Sequence, residues 1–178
     1  MDEGARGSRR GRCASIAVAL LALGPALVGA GDAGDDARNV RLVHNSERFA
    51  VARALSGAAR MLGQTECQAL LNEFSDTSGR PLRVALEAFG VSAPEYLGRI
   101  FFYDAPPSAC RTSELAVTKP GSRAILVCGA RFARQMGRGS RHAEAILIHE
   151  ALHSLGLGEN PPSSDTITQR IRARCGER

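Results

Sequence analysis

Residues 149 to 153 read His-Glu-Ala-Leu-His. Imidazoles four residues apart on a helix lie about 40° apart around its axis and one turn along it, so both can reach one ion. The glutamate between them falls beside that ion, where it can take a proton from an activated water. His149 and His153 are therefore the candidate metal ligands and Glu150 the candidate general base, with Zn2+ the ion this donor set and spacing suit. The surrounding helix is apolar nearly all round, through Ala143, Ala145, Ile146, Leu147, Ile148, Ala151, Leu152 and Leu155, the pattern of a buried helix. Two imidazoles and a carboxylate are costly there unless something pairs with them, and a metal ion does so.

Gly156 follows, a residue suited to ending a helix and turning the chain back. Glu159 then stands six positions after His153 as a candidate third ligand, with Asp165 as the fallback. The stretch His149-Glu-x-x-His153-x-x-Gly156-x-x-Glu159 resembles the extended motif of the metzincins, one group of the zincin metallopeptidases. The likeness runs from the strand-like region before the helix to the segment after it. It departs from the metzincin pattern in having Glu159 where that group usually has His or Asp, and in having no methionine after Met136. The glutamate on a later helix that marks gluzincins is not evident either.

The resemblance implies a zinc-dependent hydrolase, a metalloendopeptidase that cleaves peptide bonds in a peptide or protein substrate, with Glu150 passing its proton on to the leaving amine. It also implies that substrate lies extended on an edge strand, supplied by 114–118 or 123–128. Two other readings stay open: a non-catalytic zinc-bearing or disulfide-stabilised binding module, and a metal-dependent amidase acting on a non-protein amide. His142, two turns before His149, reads as a surface or supporting residue, and His44 lies outside any pattern. Tyr96 and Tyr103, the only tyrosines, are oxyanion-stabilising candidates that nothing in the sequence places.

Elements that could position these groups follow from periodicity and turn residues. Ser46 starts a helix carrying Phe49, Ala52, Leu55, Ala59 and Leu62 and ending near Gly63. A second helix spans 65–74, a turn 75–80, and a short third helix 81–89, closed by Gly90. The segments 99–103, 114–118 and 123–128 have strand composition, and Lys119 to Ser122 join the last two as a hairpin. Helices return at 130–136, 141–155 and 164–174. N-terminal helices, a small sheet with a hairpin, a buried metal-binding helix and a C-terminal helix make one α+β domain.

In the 178 residues, Arg6, Arg9, Arg10 and Arg12 precede an apolar run from Ile16 to Val28 and then small residues. This is the pattern of an export signal over residues 1–30. The run is too short to span a bilayer and is broken by Gly24 and Pro25. Arg9-Arg10 lacks the hydrophobic residues of a twin-arginine signal. Residues 31–45, with Asp32, Asp35 and Asp36 among glycines, read as a flexible mature N-terminus before a domain at 46–178, and the mature protein as secreted or periplasmic. Without the signal's four arginines and two acids the net charge falls from +5 to +3. Its basic residues are scattered and aromatics make up 4 % of the chain, so no nucleic-acid footprint exists. The sequence does not fix an oligomeric state.

Cys13 leaves with the signal, so Cys67, Cys110, Cys128 and Cys175 remain, an even set in an exported chain. Of three possible pairings, Cys110 with Cys128 is favoured because they bracket the hairpin strands, leaving Cys67 with Cys175. A four-cysteine zinc site is disfavoured because no close C-x-x-C pair occurs.

Overall fold

The molecule is seen in a computed structural model that describes residues 38–110 and 113–176. The export signal expected at 1–30 and the first part of the expected flexible segment, to residue 37, lie outside the described residues. Ordered structure starts before residue 46: strand β1, Val40–Arg41, pairs in parallel with strand β2, Phe101–Asp104, and Val40 and Leu42 are buried. A two-residue strand is too short to show alternation in the sequence, so only its partner was legible.

The fold is α+β. Helix α1, Asn45–Leu62, buries Ala50, Val51, Ala54, Leu55, Ala58, Met61 and Leu62 at three- and four-residue steps. The expected second helix is divided into α2, Thr65–Gln68, and α3, Leu70–Glu73. Helix α4 runs Leu82–Glu87, with Gly90 beyond it at φ +64°. Helix α5, Ala93–Leu97, was not anticipated, although its signal is in the sequence. Ser92 and Glu95 form a reciprocal capping box with Pro94 in the first turn.

After β2 and a 3₁₀ turn, Pro107–Cys110, come β3, Ala116–Val117, and β4, Ala124–Val127. The sheet order is β1-β2-β4-β3. The first three of these strands are parallel, and β3 closes the sheet as an antiparallel edge, with Ala116 opposite Val127 and Val117 opposite Leu126. Helices α6, Gly129–Arg138, α7, Ser140–Ser154, and α8, Ser164–Cys175, complete the chain.

The candidate metal-binding helix α7 lies at the centre. Its residues Leu147 to Ser154 are all buried, and α1, α6, α8 and β3 pack around it. Close approach of α1 requires Gly57, because a Cβ there would collide with the Glu144 carboxylate of α7. Both disulfides of the favoured pairing are present. Cys67–Cys175 ties α2 to the end of α8 across a sequence separation of 108, and Cys110–Cys128 ties the segment before β3 to the end of β4 across 18. In the chain-entropy picture, loops of these lengths stabilise by about 5 and about 3 kcal/mol. Such bridges form in oxidising compartments. No described helix is long and apolar enough to cross a membrane.

Candidate metal centre

The end of α7 shapes the site. The Leu157 N–H donates to the Leu152 carbonyl at 3.1 Å and the Gly156 N–H to the His153 carbonyl at 2.8 Å, the paired bonds of a Schellman C-terminus. Gly156 sits at φ +111°, where a side chain is strained, and a Cβ there would also lie 3.0 Å from the Asp76 Cβ. The reversal is propped from outside, since Thr77 N–H donates to the Gly156 carbonyl at 3.1 Å. Asp76 organises that propping turn by accepting from the Ser78 and Arg80 N–H groups and from Arg80 Nε. The hairpin turn docks on the same helix end through Gly121 N–H, which donates to the His153 carbonyl at 2.9 Å.

This turn has two consequences for the candidate metal-binding groups. First, the Leu157 carbonyl lies 2.7 Å from His153 Nδ1. A carbonyl only accepts, so Nδ1 is the donor there, which leaves Nε2 as the nitrogen that can meet an ion. Second, Glu159 is carried back to the helix, its Oε1 lying 3.6 Å from His149 Nε2 and 3.4 Å from His153 Nε2. The two Nε2 atoms are 2.9 Å apart.

For a small tetrahedral ion with bonds of about 2.0–2.1 Å, donor atoms stand about 3.3 Å apart. The three observed separations bracket that edge length. Among the described residues, His149, His153 and Glu159 form a group of donors that could hold a metal ion. The donor chemistry fits as well, two imidazoles and a carboxylate being a three-protein-ligand set that leaves a fourth position open. Burial, then the neighbouring His153, lowers the His149 pKa to about 4, while Glu159 opposes the shift. His149 is therefore neutral near pH 7, the form a metal needs.

Helix α8 supplies the outer support. Thr168 Oγ1 lies 3.1 Å from His149 Nδ1. A hydroxyl can accept from Nδ1–H when Nε2 serves an ion, or donate to a bare Nδ1 when His149 Nε2–H instead faces His153. Glu150 is 6 % exposed and lines the same cleft. Burial raises its pKa to about 8, Glu159 adds to this, and the hydrogen bond from the Thr118 N–H opposes it. The edge strand thus reaches the candidate base directly through the residue just after β3.

The cleft is an open cavity of about 340 Å³. Glu114, Ala116, Val117, Thr118 and Pro120 form one wall, and His149, Glu150, His153, Glu159 and Ser164 the other side. Several other candidates are elsewhere. Asp165 is exposed in the first turn of α8 and does not join the donor group. His142 Nδ1 accepts from Arg172 Nη2 at 3.0 Å on the surface. Tyr96 is buried with its hydroxyl 3.0 Å from Ser154 Oγ. Ser154 gives its own proton to the Ala151 carbonyl, so Tyr96 donates within the core and is not part of the cleft wall. Tyr103 is 40 % exposed on β2. The resemblance placed 114–118 among the candidate edge strands but gave no role to Glu114 or the Thr118 N–H, and sequence reading missed Thr168, which joins the site through the tertiary fold. The Leu157 carbonyl was within reach, since a Schellman turn at Gly156 fixes the residue that follows it.

Compared with known proteins, the chain matches no family model, no curated protein and no solved structure.

Proposed function

We propose that this protein is an exported zinc-dependent peptidase with a divergent zincin-like domain. The observation that carries the reading is the convergence of His149, His153 and Glu159 at one point, with the Glu150 carboxyl beside them in a cleft walled by a sheet edge that no described strand pairs with. A binding module has no use for a buried carboxyl held next to a metal-ligand triangle, because burying it is costly. Hydrolysis has such a use.

When bound, zinc supplies Lewis acidity at a substrate carbonyl and lowers the pKa of water. The residues of the chain do the rest. His149, His153 and Glu159 hold the ion, with Thr168 and the Leu157 carbonyl orienting the rings. Glu150, steadied by the Thr118 N–H, takes a proton from the attacking water as its oxygen bonds to the scissile carbonyl carbon. It then delivers that proton to the amine nitrogen as the C–N bond breaks. Among the described residues no strand covers the outer edge of β3, and an extended peptide added there gains main-chain hydrogen bonds beside the centre.

The test is hydrolysis of a quenched fluorogenic peptide library by the zinc-loaded mature protein and its Glu150→Gln variant. The reading expects turnover by the former and a fall of several orders of magnitude in the latter, with metal content kept. Equal turnover in both, or none in either, refutes it.

A further inference from the structure

Among the described residues, three that line the cleft carry carboxyl groups, Glu114, Glu150 and Glu159, and none that lines it is a lysine or arginine. Glu159 serves the centre as a ligand and Glu150 as its base. Glu114 has no role there.

The backbone under Glu114 is held in place at several points. Arg131 donates from Nη1 to the Glu114 carbonyl and from Nη2 to the Cys110 carbonyl, both at 2.8 Å. Cys128 N–H donates to the Leu115 carbonyl at 2.9 Å, and the Cys110–Cys128 disulfide closes the same corner. Arg131 thus directs its guanidinium at main-chain oxygens, and among the described residues the Glu114 carboxylate has no ion-pair partner. A carboxylate on a fixed backbone, at the wall of a cleft that no described lysine or arginine lines, is arranged to meet a cation that arrives with the substrate.

Glu114 lies two residues before β3, separated from it by a bend at Leu115, so it stands past the Ala116 end of the edge strand. We propose that Glu114 selects a lysine or arginine side chain to one side of the scissile bond of a peptide extended along β3, where that peptide passes the Ala116 end of the strand. The inference rests on the peptidase reading for the location of that bond, but not for the binding preference itself.

The experiment separates the two. Zinc-loaded Glu150→Gln protein is titrated by fluorescence anisotropy with N-acetylated decapeptides that differ only in the position of one arginine in a norleucine background. At low salt one position binds about fivefold more tightly than its norleucine counterpart, the size expected of a partly exposed ion pair. That preference is screened at high ionic strength, is lost in Glu114→Gln, and turns towards a glutamate-bearing peptide in Glu114→Arg.

Equal binding of arginine and norleucine peptides at every position overturns the inference, as does a preference that survives in Glu114→Gln or no binding at millimolar peptide. A preference found only when the peptides are not acetylated assigns the cation to an α-amine, which also overturns it. Turnover of the same peptides by the unsubstituted protein reports separately on hydrolysis. Selective binding without cleavage leaves the role of Glu114 standing and removes the peptidase reading, whereas cleavage without selectivity does the reverse.

Discussion

Replacing Thr168 by valine tests how α8 supports the centre. Valine keeps the volume and β-branching of threonine, so the change is confined to the hydroxyl that meets His149 Nδ1 at 3.1 Å. The His149 ring is 3 % exposed, and its Nδ1–H cannot turn to water for a substitute partner. A buried donor left unpaired costs about 1–3 kcal/mol. Partners behind a metal-binding histidine are worth about 10- to 100-fold in metal affinity, which is about 1.4–2.7 kcal/mol. The two estimates agree, so Thr168→Val is expected to weaken zinc binding by about 10- to 100-fold in competition with a chromophoric chelator. Thr168→Ser, which restores the hydroxyl, is expected within about threefold of the parent. Unfolding in the presence of chelator is the control for stability. A Thr168→Val protein that holds zinc as tightly as the parent, or a serine variant as weak as the valine one, refutes the assigned support.

Other substitutions probe the turn and the staples. Gly156→Ala forces a side chain into φ +111° and against Asp76, so denaturant unfolding is expected to show a loss of at least about 1–3 kcal/mol. Zinc affinity is expected to fall with it, because the same turn places Leu157 and Glu159. Replacing Cys67 and Cys175 together by serine is expected to lower stability by up to about 5 kcal/mol. It is also expected to weaken zinc binding, since α8 carries both Cys175 and Thr168; unchanged chelator competition in the folded variant contradicts that coupling. Glu159→Ala removes a ligand outright and is expected to weaken binding more than Thr168→Val in the same assay, whereas Asp165→Ala is expected to leave it unchanged.

The part of the fold legible in the sequence was the part with local causes. The α7 helix showed itself by an unbroken apolar surface and by Gly156 at its end, and the hairpin by strand composition either side of Lys119 to Ser122. The cysteines gave their own pairing because Cys110 and Cys128 bracket that hairpin. The parallel sheet was not legible: β1 is two residues long, and its pairing with β2 depends on a connection through five helices. The site divided in the same way. His149, Glu150, His153 and Glu159 follow from fixed offsets on one helix and its terminal turn. The segment 114–118 was expected at the site only through the resemblance, with no role for the Thr118 N–H or Glu114, and Thr168 belongs to an element that only the tertiary fold brings there. Asp165 was a reasonable fallback by distance along the chain, but it faces solvent at the start of α8.

The central claim is that His149, His153 and Glu159 hold one metal ion. Its most direct test is metal content by plasma mass spectrometry on the mature protein purified without added zinc or chelator, beside His149→Ala and Glu150→Gln. The account predicts about one zinc per chain in the parent and in Glu150→Gln, and a loss in His149→Ala. A parent that carries no metal even after reconstitution, or one whose zinc survives His149→Ala, contradicts it.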